Sequence, residues 1–102
     1  MNKDIHILSD DELKEKLKDF PGWELKNNKI VKEFKLNNFL AVLDFINILA
    51  PFFESNDHHP DMIISYKNII FELTHHEMGD KLTNIDFLVA REIEDKFQSI
   101  IS

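Results

Sequence analysis

Four of the five histidines fall in two adjacent pairs, His58-His59 and His75-His76, and an acid flanks each pair: Asp57 precedes the first and Glu77 follows the second. Imidazole is the side chain best suited to moving protons near neutral pH, because its reference pKa is about 6.5. A neighbouring carboxylate can orient the ring and stabilise its charged form. The chemistry expected of these residues is therefore general acid-base catalysis. The residues alone fit two other readings. The histidines could be surface or turn residues with no chemistry. Zinc also takes histidine and carboxylate ligands. However, adjacent histidines rarely share one ion and no His-x3-His pair at helical spacing occurs, so no metal is expected. The chain has no cysteine, which excludes disulfides, thiolate ligands and a cysteine nucleophile.

Backbone geometry restrains which histidines can share a pocket. His59 precedes Pro60 and is biased to extended backbone, where successive side chains point to opposite faces. Only one of His58 and His59 should then enter a pocket, unless the loop is irregular. By the same parity, Ile69, Phe71, Leu73 and His75 lie on one face of a strand, and Ile70, Glu72, Thr74 and His76 on the other. His76 is the better candidate for an open pocket, while His75 would cap the edge of the core.

The elements that must position these residues are legible from capping and periodicity. Ser9 with Glu12 matches a capping box and opens a first helix, with Leu13 and Leu17 as its apolar stripe. Pro21-Gly22 ends it. Trp23 to Lys26 and Lys29 to Lys35 read as strands joined at Asn27-Asn28, since Asn tolerates positive φ. Ile30 and Phe34 share a face with Lys32. Asn37 or Asn38 caps a second helix, whose apolar face comprises Phe39, Leu40, Val42, Leu43, Ile46, Leu49, Ala50 and Phe53. Phe45, Ile48 and Phe52 spill beyond that face, as if a partner covered the far side. Pro51 should kink or restart this helix. Met62 to Tyr66 and Asn68 to Thr74 are strand-like, with the turn near Lys67. Thr83 and Asp86 form a second capping box, and a third helix runs to about Ser99 on Phe87, Ala90, Ile93 and Phe97. Hairpin connections imply a largely antiparallel sheet, covered by helices on one face: an α+β, two-layer architecture.

At 102 residues the chain should be a single domain, residues 1–102. Its formal net charge of −7 argues against direct nucleic-acid binding. Met1 to Asp10 lacks the apolar run of a signal peptide. The most apolar window, Phe39 to Phe53, is broken by Asp44 and Asn47 and is too short to span a bilayer. A cytosolic or nuclear protein is expected.

Glu54, His58-His59-Pro60, Tyr66, His76, Leu82-Thr83 and Asp86 together form a spaced pattern that resembles the pterin-4a-carbinolamine dehydratase family, also known as the dimerization cofactor of a hepatocyte nuclear factor. The resemblance extends to the Ser9 helix start, Gly22-Trp23 and Asp57, and covers nearly the whole chain. It implies a four-stranded antiparallel sheet with three helices on one face, and dimers or tetramers. The implied activity is loss of water from 4a-hydroxytetrahydropterin to give the quinonoid dihydropterin, with no metal or cofactor, so that the pterin can again serve aromatic amino-acid hydroxylases.

The motif histidines map to His58, His59 and His76. Substrate contacts map to Asp57 through His59 and to Thr74 through Glu77. Two proton transfers are needed, and His76 with His58 are the expected acid and base, His59 binding or orienting the substrate. Glu54 and Asp57 are orienting candidates, although Glu54 also fits a solvated helix end. Asp86 is a supporting residue that equally completes the Thr83 cap. Trp23 and Tyr66 could each line the pocket or pack in the core. The chain departs from the family pattern at His75, where Thr or Ser is common, and in a longer segment from Glu77 to Thr83. A rival expectation is an interaction module that stabilises a transcription-factor dimer through the Phe39 to Phe53 helix. The same helix would serve a homodimer or homotetramer.

Overall fold

A computed structural model describes residues 4–101; Met1 to Lys3 and Ser102, and with them part of the expected leaderless N-terminus, lie outside the described residues. The order is α1 (Asp10–Leu17), β1 (Glu24–Lys26), β2 (Lys29–Lys35), α2 (Phe39–Ser55), β3 (Asp61–Ser65), β4 (Asn68–Leu73) and α3 (Asn84–Ile101), with a 3-10 turn at His76–Met78. The strands form one sheet in the order β1-β2-β4-β3, every pair antiparallel. This is the expected α+β architecture.

Local chemistry explains each boundary. The Ser9 hydroxyl accepts from the Glu12 N–H, and the Glu12 carboxylate accepts from the Ser9 N–H, completing the capping box. Those bonds, chiefly the one from the Ser9 backbone and then that from His6, hold the Glu12 carboxyl below its ordinary value. Asn27 and Asn28 both adopt positive φ, 50° and 63°, as a two-residue hairpin with the twist of its strands demands. Asn38, rather than Asn37, caps α2, its side chain accepting from the Ala41 N–H. Gly22 has φ 89°, and a Cβ there would meet the Lys32 side chain at 2.8 Å.

Alternation in the central strands builds the core. Ile30, Phe34, Ile69, Phe71 and Leu73 are fully or almost fully buried. Phe34 sits at the centre of an aromatic cluster, with ring centroids 4.8 Å from Phe97, 5.8 Å from Phe45 and Phe71, and 6.1 Å from Trp23. Such edge-to-face contacts add to the free energy of burial.

Two expectations for α2 need correction. Its buried stripe is Val42, Phe45, Leu49 and Phe53, with Ala41, Ile46 and Phe52 packed against it. Phe45 is thus central rather than peripheral, while Phe39 and Leu40, expected on the apolar face, are exposed; Ile48 is exposed beyond that face, as expected. A stripe spaced by three and four residues follows one face of a 3.6-residue helix. The apolar residues of α2 spread over more than one face, although Asp44 and Asn47 are exposed, so composition alone did not set the phase. α2 also continues through Pro51 without restarting, with that ring on the exposed side.

Phe45→Ala should cost about 3–5 kcal/mol in urea unfolding, whereas Leu40→Ala should stay within about 0.5 kcal/mol. A depressed carboxyl adds stability above its unfolded value and loses it as pH falls through the folded one. The stability gap between the wild type and Glu12→Gln, measured by urea titration, should therefore narrow as pH falls from neutral through and below the ordinary carboxylate range.

Candidate active site

The C-terminus of α2 delivers the first histidine pair. Asp57 adopts φ 48°. Its N–H bonds the Glu54 carbonyl at 3.1 Å while the His58 N–H bonds that of Phe53 at 3.1 Å. These are the two bonds of a Schellman termination, with Asp57 at the left-handed position that usually holds glycine. The motif turns the chain sharply and points His58 inward. His58 is 5% exposed, His59 is exposed and Pro60 is buried.

The N-terminus of α3 supplies the receptor for His58. Thr83 Oγ1 accepts from the Ile85 N–H at 3.2 Å, and Asp86 Oδ2 accepts from the Thr83 N–H at 2.8 Å. The expected cap is present. The other oxygen of Asp86, Oδ1, lies 2.5 Å from His58 Nε2, and Asp86 is fully buried. Asp86 thus caps α3 and anchors His58 at once. The segment before α1 braces this point: Leu8 N–H bonds the Leu82 carbonyl, and His6 and Asn84 bond each other in both directions.

The end of β4 brings in the second pair. The strand stops at Leu73, so strict alternation stops too: Thr74 and His75 are both buried, and His76 is exposed. The His75 N–H bonds the Lys81 carbonyl, and Gly79, at φ 77°, and Asp80, at φ 58°, turn the intervening loop back. His75 sits at the core edge as expected, but its ring packs against that of His58, centroids 4.8 Å apart.

Each expected catalytic histidine has a carboxylate partner. His58 has Asp86, His59 Nε2 lies 2.5 Å from Glu54 Oε1, and His76 Nδ1 lies 2.6 Å from Asp80 Oδ1. A carboxylate only accepts, so the bonded nitrogen of each ring carries the hydrogen and the opposite nitrogen of the neutral ring presents a lone pair. Asp80 was not singled out from the sequence; its signal was its place four residues after His76. Asp61 was missed too. It lies 3.9 Å from His76 Nε2 and 3.6 Å from Lys29 Nζ. Lys29 is held above its ordinary value by its hydrogen bond to Glu72, with the charges of Glu72 and Asp61 adding.

A cleft of about 120 Å³ is lined by Asp57, His58, His59, Thr74, His75, His76 and Glu77. The two histidine pairs, distant in sequence, share this one opening. The Thr74 hydroxyl is buried in its wall with no hydrogen-bond partner among the described residues. Trp23 is not part of it. Its indole is buried, donates to Glu94 at 3.0 Å and stands edge-on to Phe34, so it belongs to the core. Tyr66 is in neither place: it is 69% exposed on the hairpin between β3 and β4. Among the described residues no group of three or more His, Asp or Glu converges as a metal site, and no helix is long and apolar enough to cross a membrane.

Fold and cleft together define a two-layer α+β protein in which three imidazoles, each paired with a carboxylate, line one cleft. The profile of the family described as "Pterin 4 alpha carbinolamine dehydratase" matches residues 6–96. A Picosynechococcus protein provisionally named pterin-4-alpha-carbinolamine dehydratase is 43% identical over 81% of this chain and 89% of its own length. A Sulfolobus acidocaldarius protein with the same provisional name is 36% identical over 84% of this chain and 93% of its own. The crystal structure of a transcriptional coactivator/pterin dehydratase from Brucella melitensis superposes with a TM-score of 0.84 at 26% identity, covering 89% of this chain and 98% of that one. The chain belongs to the pterin-4a-carbinolamine dehydratase family.

Burial separates the energetic weight of the histidine partners. Asp86→Ala strands a buried imidazole and uncaps α3, and should cost about 3–5 kcal/mol in urea unfolding. Glu54→Ala breaks a pair whose side chains are 55% and 77% exposed, and should cost no more than about 1 kcal/mol.

Proposed function

We propose that the protein dehydrates a 4a-hydroxytetrahydropterin to the quinonoid dihydropterin and water by histidine general acid-base catalysis, in the recycling of tetrahydrobiopterin. The observation that carries this reading is the set of three imidazoles around one cleft, each held by its own carboxylate at 2.5–2.6 Å. In the reaction the bond from C4a to the hydroxyl oxygen breaks, and that oxygen leaves as water with a proton from the general acid. N5 gives its proton to the general base, and the electron pair released forms the double bond between N5 and C4a. Nothing is oxidised or reduced, so protons are all that the protein must move.

His58 and His76 take the acid and base roles in this reading, and His59 orients the substrate. His58 reaches the cleft from the α2 side and His76 from the β4 side, so the two can address a flat ring from different directions. The free Thr74 hydroxyl, with the carboxylates of Asp57 and Glu77, offers hydrogen-bonding groups suited to the amide and amino edge of a pterin.

A second reading is favoured by one structural observation. Phe39, Leu40 and Ile48 leave an apolar face of α2 exposed, and the Brucella neighbour is described as a coactivator as well as a dehydratase. The face would serve self-association as a dimer or tetramer, or a protein partner. Leu40→Glu should then reduce the mass seen by light scattering; an unchanged mass would remove this helix from the interface.

His76→Ala should lower kcat for dehydration, followed spectrophotometrically, by about 10²–10⁴-fold. Near-normal turnover would end the role given to His76. A protein-binding role would survive His76→Ala and be lost in Leu40→Glu.

A further inference from the structure

We propose that His75 is a positioning residue for His58, which it clamps against Asp86. This rests on the dehydratase reading for its consequence in catalysis, but its structural content stands apart from it.

Four buried side chains close a ring of contacts. His58 Nε2 meets Asp86 Oδ1 at 2.5 Å. Asp86 Oδ2 accepts from the Thr83 N–H at 2.8 Å and lies 3.4 Å from the Thr83 hydroxyl. That hydroxyl is 3.3 Å from His75 Nδ1. The His75 ring then packs on the His58 ring, centroids 4.8 Å apart and planes inclined by 39°. Exposure of the four residues runs from 0% at Thr83 and Asp86 to 5% at His58 and 6% at His75.

The hydrogen bond to Asp86 alone leaves one freedom. An imidazole held by a single nitrogen can still swing about that bond, because a carboxylate oxygen accepts over a broad range of directions. A second contact against the ring restricts that freedom. His75 provides it, and is itself held twice: by its N–H to the Lys81 carbonyl and by its ring nitrogen to Thr83. His59 and His76 have no such backing. Each is exposed and paired with an exposed carboxylate. A hydroxyl residue at position 75, common in the family pattern, could reach Thr83 but could not cover a ring face. The clamp belongs to this chain's own residue.

A geometric error of about 1 Å in a catalytic group costs up to about 10²-fold in rate. His75→Thr, which keeps a polar side chain but removes the ring, should lower kcat about tenfold or more with KM changed by less than about threefold. His75→Phe keeps a ring against His58 and should recover most of that loss. A second readout does not depend on turnover. The His58 Nε2 proton should appear in the NMR spectrum of the wild type as a slowly exchanging imidazole resonance. It should exchange faster in His75→Thr and be retained in His75→Phe.

An unchanged kcat with an unchanged resonance in His75→Thr would overturn the proposal. So would a change in KM alone, which marks a substrate contact, or equal loss of kcat and of the resonance in both variants. Should the wild type fail to dehydrate the carbinolamine, the functional reading falls, while the resonance still judges the clamp. Far-ultraviolet circular dichroism and thermal melting confirm that both variants are folded before either readout is taken.

Discussion

The site depends on one buried carboxylate. Asp86 is wholly removed from water, and a charge in that position is tolerated only where other groups take the place of its hydration. One oxygen is satisfied by the Thr83 backbone N–H and the other by His58. The first contact starts α3. The second ties that start to the loop leaving α2, 28 residues earlier in sequence. Removing either helix end would leave Asp86 with an unmet need. α2 and α3 are therefore the two helices whose ends are joined at the cleft.

From that anchor outward the site becomes progressively wetter. His58, Thr74 and His75 are buried, and His59 and His76 stand in solvent beside Glu54 and Asp80. Buried groups are thus joined to hydrated ones. A buried imidazole pairs with one partner in one geometry. An exposed imidazole and carboxylate gain little from pairing, because water competes for both, and such a pair can open to admit a ligand. The gradient gives the cleft a dry inner wall and a wet rim.

The same economy of surfaces shapes α2. One stripe, from Val42 to Phe53, fills the space over β4, with Phe45 in contact with Phe34 and Phe71. The helix then ends in a termination that aims His58, its left-handed residue being Asp57 where glycine would be less strained. A cleft-lining carboxylate thus occupies the left-handed position of the termination.

Much of this was legible in the sequence because it is governed by local chemistry. The Ser9 capping box, the Thr83 cap with Asp86 accepting from its N–H, the Asn27-Asn28 turn and the alternation of Ile69, Phe71 and Leu73 depend on residues within a few positions of one another, and each was found, the Thr83 hydroxyl accepting from the Ile85 N–H rather than that of Asp86. The histidine pairs and their flanking acids were visible for the same reason, and the family pattern joined them into one site. What the sequence could not decide was anything set by which distant surfaces meet. The phase of α2, whose apolar residues spread over more than one face, was settled by packing against Phe34 and Phe71, which moved Phe45 to the centre and left Leu40 outside. Trp23 went to the core because Glu94, 71 residues away, met its indole N–H. Asp80 and Asp61 became partners of His76 only when the loop after β4 folded back beside β3. Local hydrogen bonds set where each element begins and ends. The carboxylate that each imidazole meets, and how dry that meeting is, are properties of the packed whole, because burial exists only once the chain has closed on itself.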